Sequence, residues 1–295
     1  MTPLILTPYE AFIAPFADYA FMARALAGCI ALSIGAAPVG VFLMLRRMSL
    51  AGDAMAHAIL PGAAIGFLIS GLKILPMTLG GMIAGLTVAL LAGLVSRTTV
   101  LKEDASLAAF YLISLALGVL IVSMKGTNVD LLHVLFGTVL ALDDTALYFL
   151  GGASTVSLFV LALIYRALIA ECVDPNFLGV VSRAGGIAHL GFLALVVLNL
   201  VSGFQALGTL LAVGMMMLPA VTSRFWARTL PGMMAASIGV GLLSSVIGLL
   251  VSFHFSAPSG PAIILAAGVA YIVSLFLGPQ GGLFWKLLPP KHRTA

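Results

Sequence analysis

The sequence is poor in charge. Only 8% of its 295 residues are Asp, Glu, Lys or Arg, whereas 62% are hydrophobic. A soluble domain carries about 25% charged residues, so this composition excludes an ordinary soluble protein and indicates a chain that crosses a lipid bilayer several times. The 14 basic residues are scattered and form no patch of the kind that binds nucleic acid. We therefore expect a lipid bilayer around the chain and no nucleic-acid partner.

Cysteine is also scarce, and common nucleotide-binding and hydrolase motifs are absent from the sequence. Cys29 and Cys172 are the only two cysteines, and their spacing supports neither a disulfide framework nor a cysteine-rich metal site. Gly-Lys-Ser and Gly-Lys-Thr do not occur, so the chain has no Walker motif with which to hold ATP. His-Glu-x-x-His and Gly-x-Ser-x-Gly are missing as well, which disfavours an intramembrane enzyme. If ATP drives this protein, a separate polypeptide binds and hydrolyses it.

Long apolar runs between the charged residues indicate about eight or nine membrane spans, since one span needs roughly 20 apolar residues. The segment 128–146 is too short to span and is bounded by Asp130 and Asp143, so we expect a re-entrant or interfacial helix there. The predicted fold is all-α: a polytopic transmembrane helical bundle that forms one domain over 1–295. The predicted spans lie near 25–45, 54–72, 76–96, 105–124, 147–168, 185–203, 206–226 and 232–254, with a ninth near 260–278.

The positions of the basic residues predict the orientation of the chain, because cytoplasmic loops of membrane proteins are enriched in Lys and Arg. With the N-terminus outside and nine crossings, only Arg24, Lys73 and Lys125 lie at the outer side, and the C-terminus is cytosolic. The inner loops then hold Arg46, Arg47, Arg97, Lys102, Arg166, Arg183, Arg224, Arg228, Lys286, Lys291 and Arg293.

Asp53 and His57 are the most informative polar residues. Residues four apart lie on one face of a helix, and carboxylate and imidazole groups are common ligands of zinc and manganese. Ionisable groups at membrane depth are costly and usually functional. Two alternatives stay open from the residues alone: Asp53 caps the helix, and His57 is a hydrogen-bonded buried histidine. A metal path that uses both residues is the preferred interpretation.

Other residues carry weaker predictions. Pro61 and Pro219 each remove a backbone donor, so we expect a kink beside the Asp53–His57 pair and a second kink in a later helix. Asp130 and His133 could form an outer metal relay. Asn199 lies in an apolar run, where it would form a hydrogen bond to another helix.

Four passages, in this order along the chain, resemble the ABC-3 family, the membrane permeases of bacterial zinc and manganese ABC importers. The first is RRMSLAGDAMAHAILPGAAIGFL at 46–68, which contains the family's Asp-x-x-x-His at Asp53 and His57. The others are DLLHVLFGTVLAL at 130–142, ALGTLLAVGMMMLPAVTSRFWAR at 206–228 and PSGPAII at 258–264. The resemblance covers most of the chain.

The resemblance implies an assembly in the bacterial cytoplasmic (inner) membrane. Its other members would be a second permease copy, two cytosolic ATPase subunits and an extracytoplasmic metal-binding protein. It also implies that the cytosolic loop 171–186 holds a coupling helix that docks on the ATPase. Asp174 and Pro175 are a plausible start for that helix, and its contact face would hold Phe177, Leu178 and Val181.

The function expected from the sequence is therefore the permease subunit of an ATP-driven importer of divalent metal ions. The metal is cargo, and no permanent cofactor is expected. Zinc is favoured slightly over manganese, because an imidazole–carboxylate pair suits it. The alternative is a stand-alone, proton-coupled secondary metal transporter in which Asp53 carries the proton.

Overall fold

The computed structural model describes residues 7–71, 73–101, 103–124, 139–173 and 184–284. Within these ranges the chain forms helices and no strands, which confirms the predicted all-α fold. A short 3₁₀ helix, Val139–Ala141, precedes α8. The helices are α1 Pro8–Phe12, α2 Ala14–Asp18, α3 Ala20–Leu45, α4 Ala51–Ala58, α5 Leu60–Ser70, α6 Ile74–Thr98, α7 Glu103–Met124, α8 Asp144–Val173, α9 Ala184–Leu207, α10 Thr209–Ser223, α11 Leu230–Phe255 and α12 Ser259–Leu277.

Eight helical segments of the described chain are long and apolar enough to cross a membrane. They are α3, α4 with α5, α6, α7, α8, α9, α11 and α12, so the run near 260–278 does form a helix of spanning length. The run near 206–226 was predicted to span the membrane, but its helix α10 has only 15 residues, fewer than the roughly 20 that a span needs. Helix α8 begins at Asp144, and the segment 125–138, which holds most of the predicted re-entrant helix, lies outside the described residues.

Helices α3 and α8 run in the same direction. Arg24, near the start of α3, lies 3.4 Å from Asp144 at the start of α8. Arg46, directly after α3, lies 2.9 Å from Glu171 near the end of α8. We call the two faces of the bundle the Asp144 end and the Arg46 end after these contacts.

Helices α9 and α10 form an antiparallel hairpin. The turn is at Gly208, whose φ of 98° is in the left-handed region that favours glycine. The Gly208 amide donates to the carbonyl groups of Gly203 and Phe204, and Gly203 packs against Ala212 and Leu32. Helix α10 therefore returns toward the Arg46 end although it is short.

Glycine allows close packing between antiparallel helices α5 and α6. Gly62 is in backbone contact with Gly80, and Gly66 packs against the backbone of Pro76. A side chain at either position of α5 would collide with the backbone of α6. Small residues bring membrane helices close together in this way.

Helix α7 packs against the α4–α5 segment in a parallel orientation. Ser114 lies beside Ala58, and Gly118 lies one turn farther along beside Pro61. The chain direction therefore reverses at α6 and again at α7, as the threading by basic residues predicts.

Polar contacts also join helices inside the bundle. Asn199 of α9 donates to the Ser157 hydroxyl of α8 at 2.7 Å, which confirms the predicted interhelical hydrogen bond. Both cysteines are free, in agreement with the expectation from their spacing.

Candidate functional site

Helix α4, which carries Asp53 and His57, begins inside the bundle and not at the Arg46 end itself. The connection from α3 is short, and Arg47 within it has a φ of 59°. Gly52, at the start of α4, packs against Met216 of α10 and is in contact range of Leu43 of α3. Helix α4 therefore begins level with the last part of α3, rather than beyond its end.

Asp53 does not cap its helix. The N-cap residue of α4 is Leu50, and no side chain forms a capping hydrogen bond there. Asp53 lies within the first turn, where the positive end of the helix dipole favours a carboxylate. Its side chain is 62% exposed in the isolated chain. The carboxylate is therefore available to a ligand.

The His57 imidazole also has unused bonding capacity. Its Nε2 lies 3.8 Å from Asp53 Oδ1, which is longer than a hydrogen bond. Its buried Nδ1 has no hydrogen-bond partner among the described residues. Most buried polar atoms in proteins are hydrogen-bonded, so His57 is not the satisfied buried histidine of the alternative interpretation. The pair has the donor types and the spacing of a metal-binding face.

The helix is interrupted directly after this pair, as the proline at 61 predicts. Helix α4 ends at Ala58 and α5 begins at Leu60, with Pro61 in its first turn. The Ala58 carbonyl accepts a hydrogen bond of 3.0 Å from the buried Ser114 hydroxyl of α7. A polar side chain on a neighbouring helix therefore supports the interruption, which is how membrane proteins satisfy broken helices.

Helix α7 also contacts the histidine itself. The Tyr111 ring lies with its centroid 6.1 Å from that of His57, at an interplanar angle of 30°. Ser114 lies one turn farther along α7, and Gly118 packs on Leu60 and Pro61 after another turn. One face of α7 thus fixes both the orientation of the imidazole and the position of the helix interruption.

Asp53 and His57 line a cavity of about 250 Å³ together with the start of α10. The residues of α10 in this cavity are Thr209, Leu210, Val213 and Gly214. The lining is mostly apolar apart from the carboxylate, the imidazole and the threonine. The cavity is open to the outside of the chain on one side.

The cavity lies near the middle of the bundle. The first turn of α10, which borders it, is level with Leu32 through the contact of both with Gly203, and Leu32 is halfway along α3. Asp53 lies about one turn closer to the Arg46 end than His57. A carboxylate and an imidazole at such depth are costly in lipid, so we expect water or protein, rather than lipid, to cover this face.

One chain does not complete a metal site. Among the described residues, no group of three or more His, Cys, Asp or Glu side chains is placed to hold one ion. Structural zinc sites have four protein ligands, whereas Asp53 and His57 supply two. A metal ion held by this pair would therefore need ligands beyond those that the described residues of one chain supply.

Several predicted residues lie outside the described part of the chain. These are Asp130 and His133 of the predicted outer relay, and Asp174, Pro175, Phe177, Leu178 and Val181 of the predicted coupling helix. Pro219 lies inside α10, which continues past it to Ser223.

Sequence reasoning missed the contributions of Tyr111, Ser114 and Thr209. Each lies far from Asp53 along the chain, and nothing in an apolar run marks which of its polar residues meets another helix. Ser114 and Thr209 carried only a weak signal, as hydroxyl groups within predicted spans.

Comparison with known proteins decides the family. The model of the ABC 3 transport family matches residues 18–278. The chain belongs to this family. It is also 32% identical over 269 residues to the manganese import system permease protein ScaB of Streptococcus parasanguinis, covering 91% of this chain and 95% of the relative. The chelated iron transport system membrane protein YfeD of Yersinia pestis is 30% identical and covers 88% of this chain, which spans 86% of that relative.

A solved structure supports the fold of this chain. PsaBC from Streptococcus pneumoniae in complex with Fab matches with a TM-score of 0.80 and 29% identity. The match covers 93% of this chain and 98% of the compared chain. The ABC-3 resemblance inferred from the four sequence passages is thus confirmed.

Proposed function

We propose that this protein is the permease subunit of an ATP-driven importer of divalent transition-metal ions, and that Asp53 and His57 bind the ion transiently during passage. The observation that carries the proposal is the pair itself: an exposed carboxylate and an imidazole whose Nε2 lies 3.8 Å from it, both lining a cavity at mid-bundle depth. Family membership supports transport as the function.

Manganese is the first metal to test. Carboxylate oxygen and imidazole nitrogen suit manganese, zinc and iron alike, so the donor atoms alone do not select one. The relatives named above transport manganese or chelated iron according to their names, and zinc is in neither name. We therefore replace the slight preference for zinc by a preference for manganese.

A second copy of the chain would complete the site. Two protein ligands, an open cavity and a carboxylate that is exposed at membrane depth all favour a homodimer with its interface along α4 and α10. Two Asp53–His57 pairs would then face each other across one path. Few ligands per subunit also suit transport, because the ion must leave as readily as it enters.

ATP would be hydrolysed by two copies of a separate cytosolic subunit, since this sequence has no Walker motif. An extracytoplasmic binding protein would deliver the metal at the Asp144 end. This orientation follows from the arginines at the opposite face, and it places the C-terminus in the cytosol and the complex in the bacterial inner membrane.

The experiment is metal uptake into proteoliposomes. The permease is reconstituted with its cognate ABC ATPase, and accumulation of Mn²⁺, Zn²⁺ and Fe²⁺ is measured with and without ATP. Uptake that requires both ATP and the ATPase supports the proposal. Uptake by the permease alone, driven by a pH gradient, would instead establish the proton-coupled alternative.

A further inference from the structure

A second polar cluster lies at the Arg46 end, apart from the cavity. The Arg46 guanidinium donates from Nη2 to Glu171 Oε1 at 2.9 Å and to His189 Nδ1 at 2.6 Å. The same His189 nitrogen lies 3.5 Å from Glu171 Oε1. The guanidinium also lies over the Phe192 ring, 5.0 Å from its centroid. Three side chains from α8 and α9 thus meet at one arginine that follows α3.

The cluster is buried and only partly hydrogen-bonded. The side chains of Arg46, Glu171 and His189 are 10%, 12% and 6% exposed. Arg46 Nη1 and Glu171 Oε2 are buried without a hydrogen-bond partner among the described residues. Among the described residues, one donor and one acceptor of opposite charge are thus left without a hydrogen bond, and a rearrangement that pairs them would add one.

Stability alone does not account for such a cluster. Burying charged groups costs about as much as their attraction returns, so apolar residues of similar volume are often as stabilising or more so. Buried ionic groups are better attested as devices that fix one arrangement of helices over another. The location of this cluster shows which helix ends it would hold in a fixed arrangement.

Each member of the cluster holds a different helix end. Arg46 follows α3 and begins the short connection to α4, the helix of the candidate metal ligands. Glu171 is in the last turn of α8, and His189 is in the second turn of α9. Only five residues separate α3 from α4, so Arg46 is joined to the start of α4 by a short connection.

We propose that Arg46, Glu171 and His189 are positioning residues that transmit movement of the α8 and α9 ends to α4, and so to Asp53 and His57. This inference rests on the proposed function, in which an ATPase acts on the Arg46 end. The ionic cluster makes the ends of α8 and α9 move together with the α3–α4 connection. The two unpartnered atoms provide the bond that a second arrangement would form.

The test is the ratio of metal transported to ATP hydrolysed in the reconstituted complex. The decisive variant replaces the whole cluster by apolar residues: Arg46→Met, Glu171→Met and His189→Leu together. It removes the charged link without leaving a lone buried charge, so the complex is expected to assemble with an unchanged melting temperature. We expect its transport-to-hydrolysis ratio to fall by about tenfold, with ATP hydrolysis retained.

Two further variants complete the design. Glu171→Gln keeps the shape of the side chain but leaves the Arg46 charge without its partner, so its melting temperature is expected to fall. The same fall in the ratio is expected in the complex that assembles. Arg24→Met breaks the ion pair that joins α3 to α8 at the opposite end, and is expected to keep the wild-type ratio. A purely structural cluster would lower the melting temperature without changing the ratio in variants that assemble.

The proposal is overturned by a ratio within twofold of wild type in the triple variant or in Glu171→Gln. It is also overturned if neither variant assembles while Arg24→Met does, since the cluster would then be structural. A wild-type complex that hydrolyses ATP without moving metal would contradict the proposed function instead, so the two failures are distinguishable.

Discussion

The Asp53–His57 pair and the Arg46–Glu171–His189 cluster are both ionisable groups in an apolar bundle, but they differ in what surrounds them. In the pair, the two side chains are 3.8 Å apart, the carboxylate is 62% exposed, and both face a cavity. In the cluster, the distances from arginine are 2.6 and 2.9 Å and the three side chains are at most 12% exposed. Groups that leave bonds open toward a cavity are suited to a passing ligand, whereas groups that bond to each other hold helices together.

Removal of either member of the pair is expected to have the largest effect. Asp53→Ala or His57→Ala deletes one of the two ligands that a chain contributes. Loss of a residue that merely supports a metal ligand costs about 10–100-fold, so we expect uptake to fall by about 100-fold or more. The measurement is the initial rate of Mn²⁺ uptake by the reconstituted complex.

Controls for these variants come from similar residues at the Asp144 end. Asp18→Ala removes an exposed carboxylate, and His254→Ala removes an imidazole that contacts the Ala11 carbonyl. Both are expected to keep wild-type uptake. Normal uptake by assembled Asp53→Ala and His57→Ala complexes would contradict the assignment of the metal path.

The support from α7 is expected to have an intermediate effect. Ser114→Ala leaves the Ala58 carbonyl without its hydrogen bond inside the bundle, which costs about 1–3 kcal/mol. The start of α5 and the orientation of His57 should both become less defined. We expect the metal concentration for half-maximal uptake to rise several-fold, with a lower melting temperature.

The matched substitution is Ser154→Ala, which removes a similar hydroxyl that donates to the Ala31 carbonyl of α3 at 2.7 Å. It should lower the melting temperature without changing the metal dependence of uptake. If both serine variants change metal dependence equally, α7 has no special role in orienting His57.

The smallest effect is expected at the exposed ion pair. Arg24 and Asp144 are 41% and 71% exposed, and pairs of this kind contribute about 0–1 kcal/mol. The melting temperature of Arg24→Met should therefore stay close to that of wild type when measured at low and at moderate salt. A large loss of stability would show that this exposed ion pair holds helices together as the Arg46–Glu171–His189 cluster does.

The sequence was sufficient to predict the helical class, the approximate spans and the placement of Asp53 and His57 on one helix face. Their role in metal passage stays a prediction. Apolar runs and the four-residue spacing are local features, so they can be read without knowing the fold. The length of α10 was overestimated, because the predicted span 206–226 extends past the turn at Gly208 on one side and across Arg224 to Trp226 on the other. Only the left-handed φ of Gly208 separates it from α9.

The cluster at Arg46 could not be predicted for a different reason. The sequence marks Arg46 only as one of the basic residues that predict membrane orientation, and no local pattern marks His189. Their contact joins positions 143 residues apart, and no local pattern contains that pairing. The depth of Asp53 likewise depends on α4 beginning level with the end of α3, which is a feature of the packed bundle.

The most direct test of the account is the coordination of Mn²⁺ bound to the purified complex. Electron spin-echo envelope modulation detects a nitrogen nucleus that is coordinated to Mn²⁺. We predict nitrogen modulation from imidazole in the wild-type complex and its loss in His57→Gln, with the modulation unchanged in His254→Gln. Mn²⁺ bound without nitrogen modulation in the wild type, or with the same modulation in His57→Gln, would contradict the assignment of His57 as a ligand.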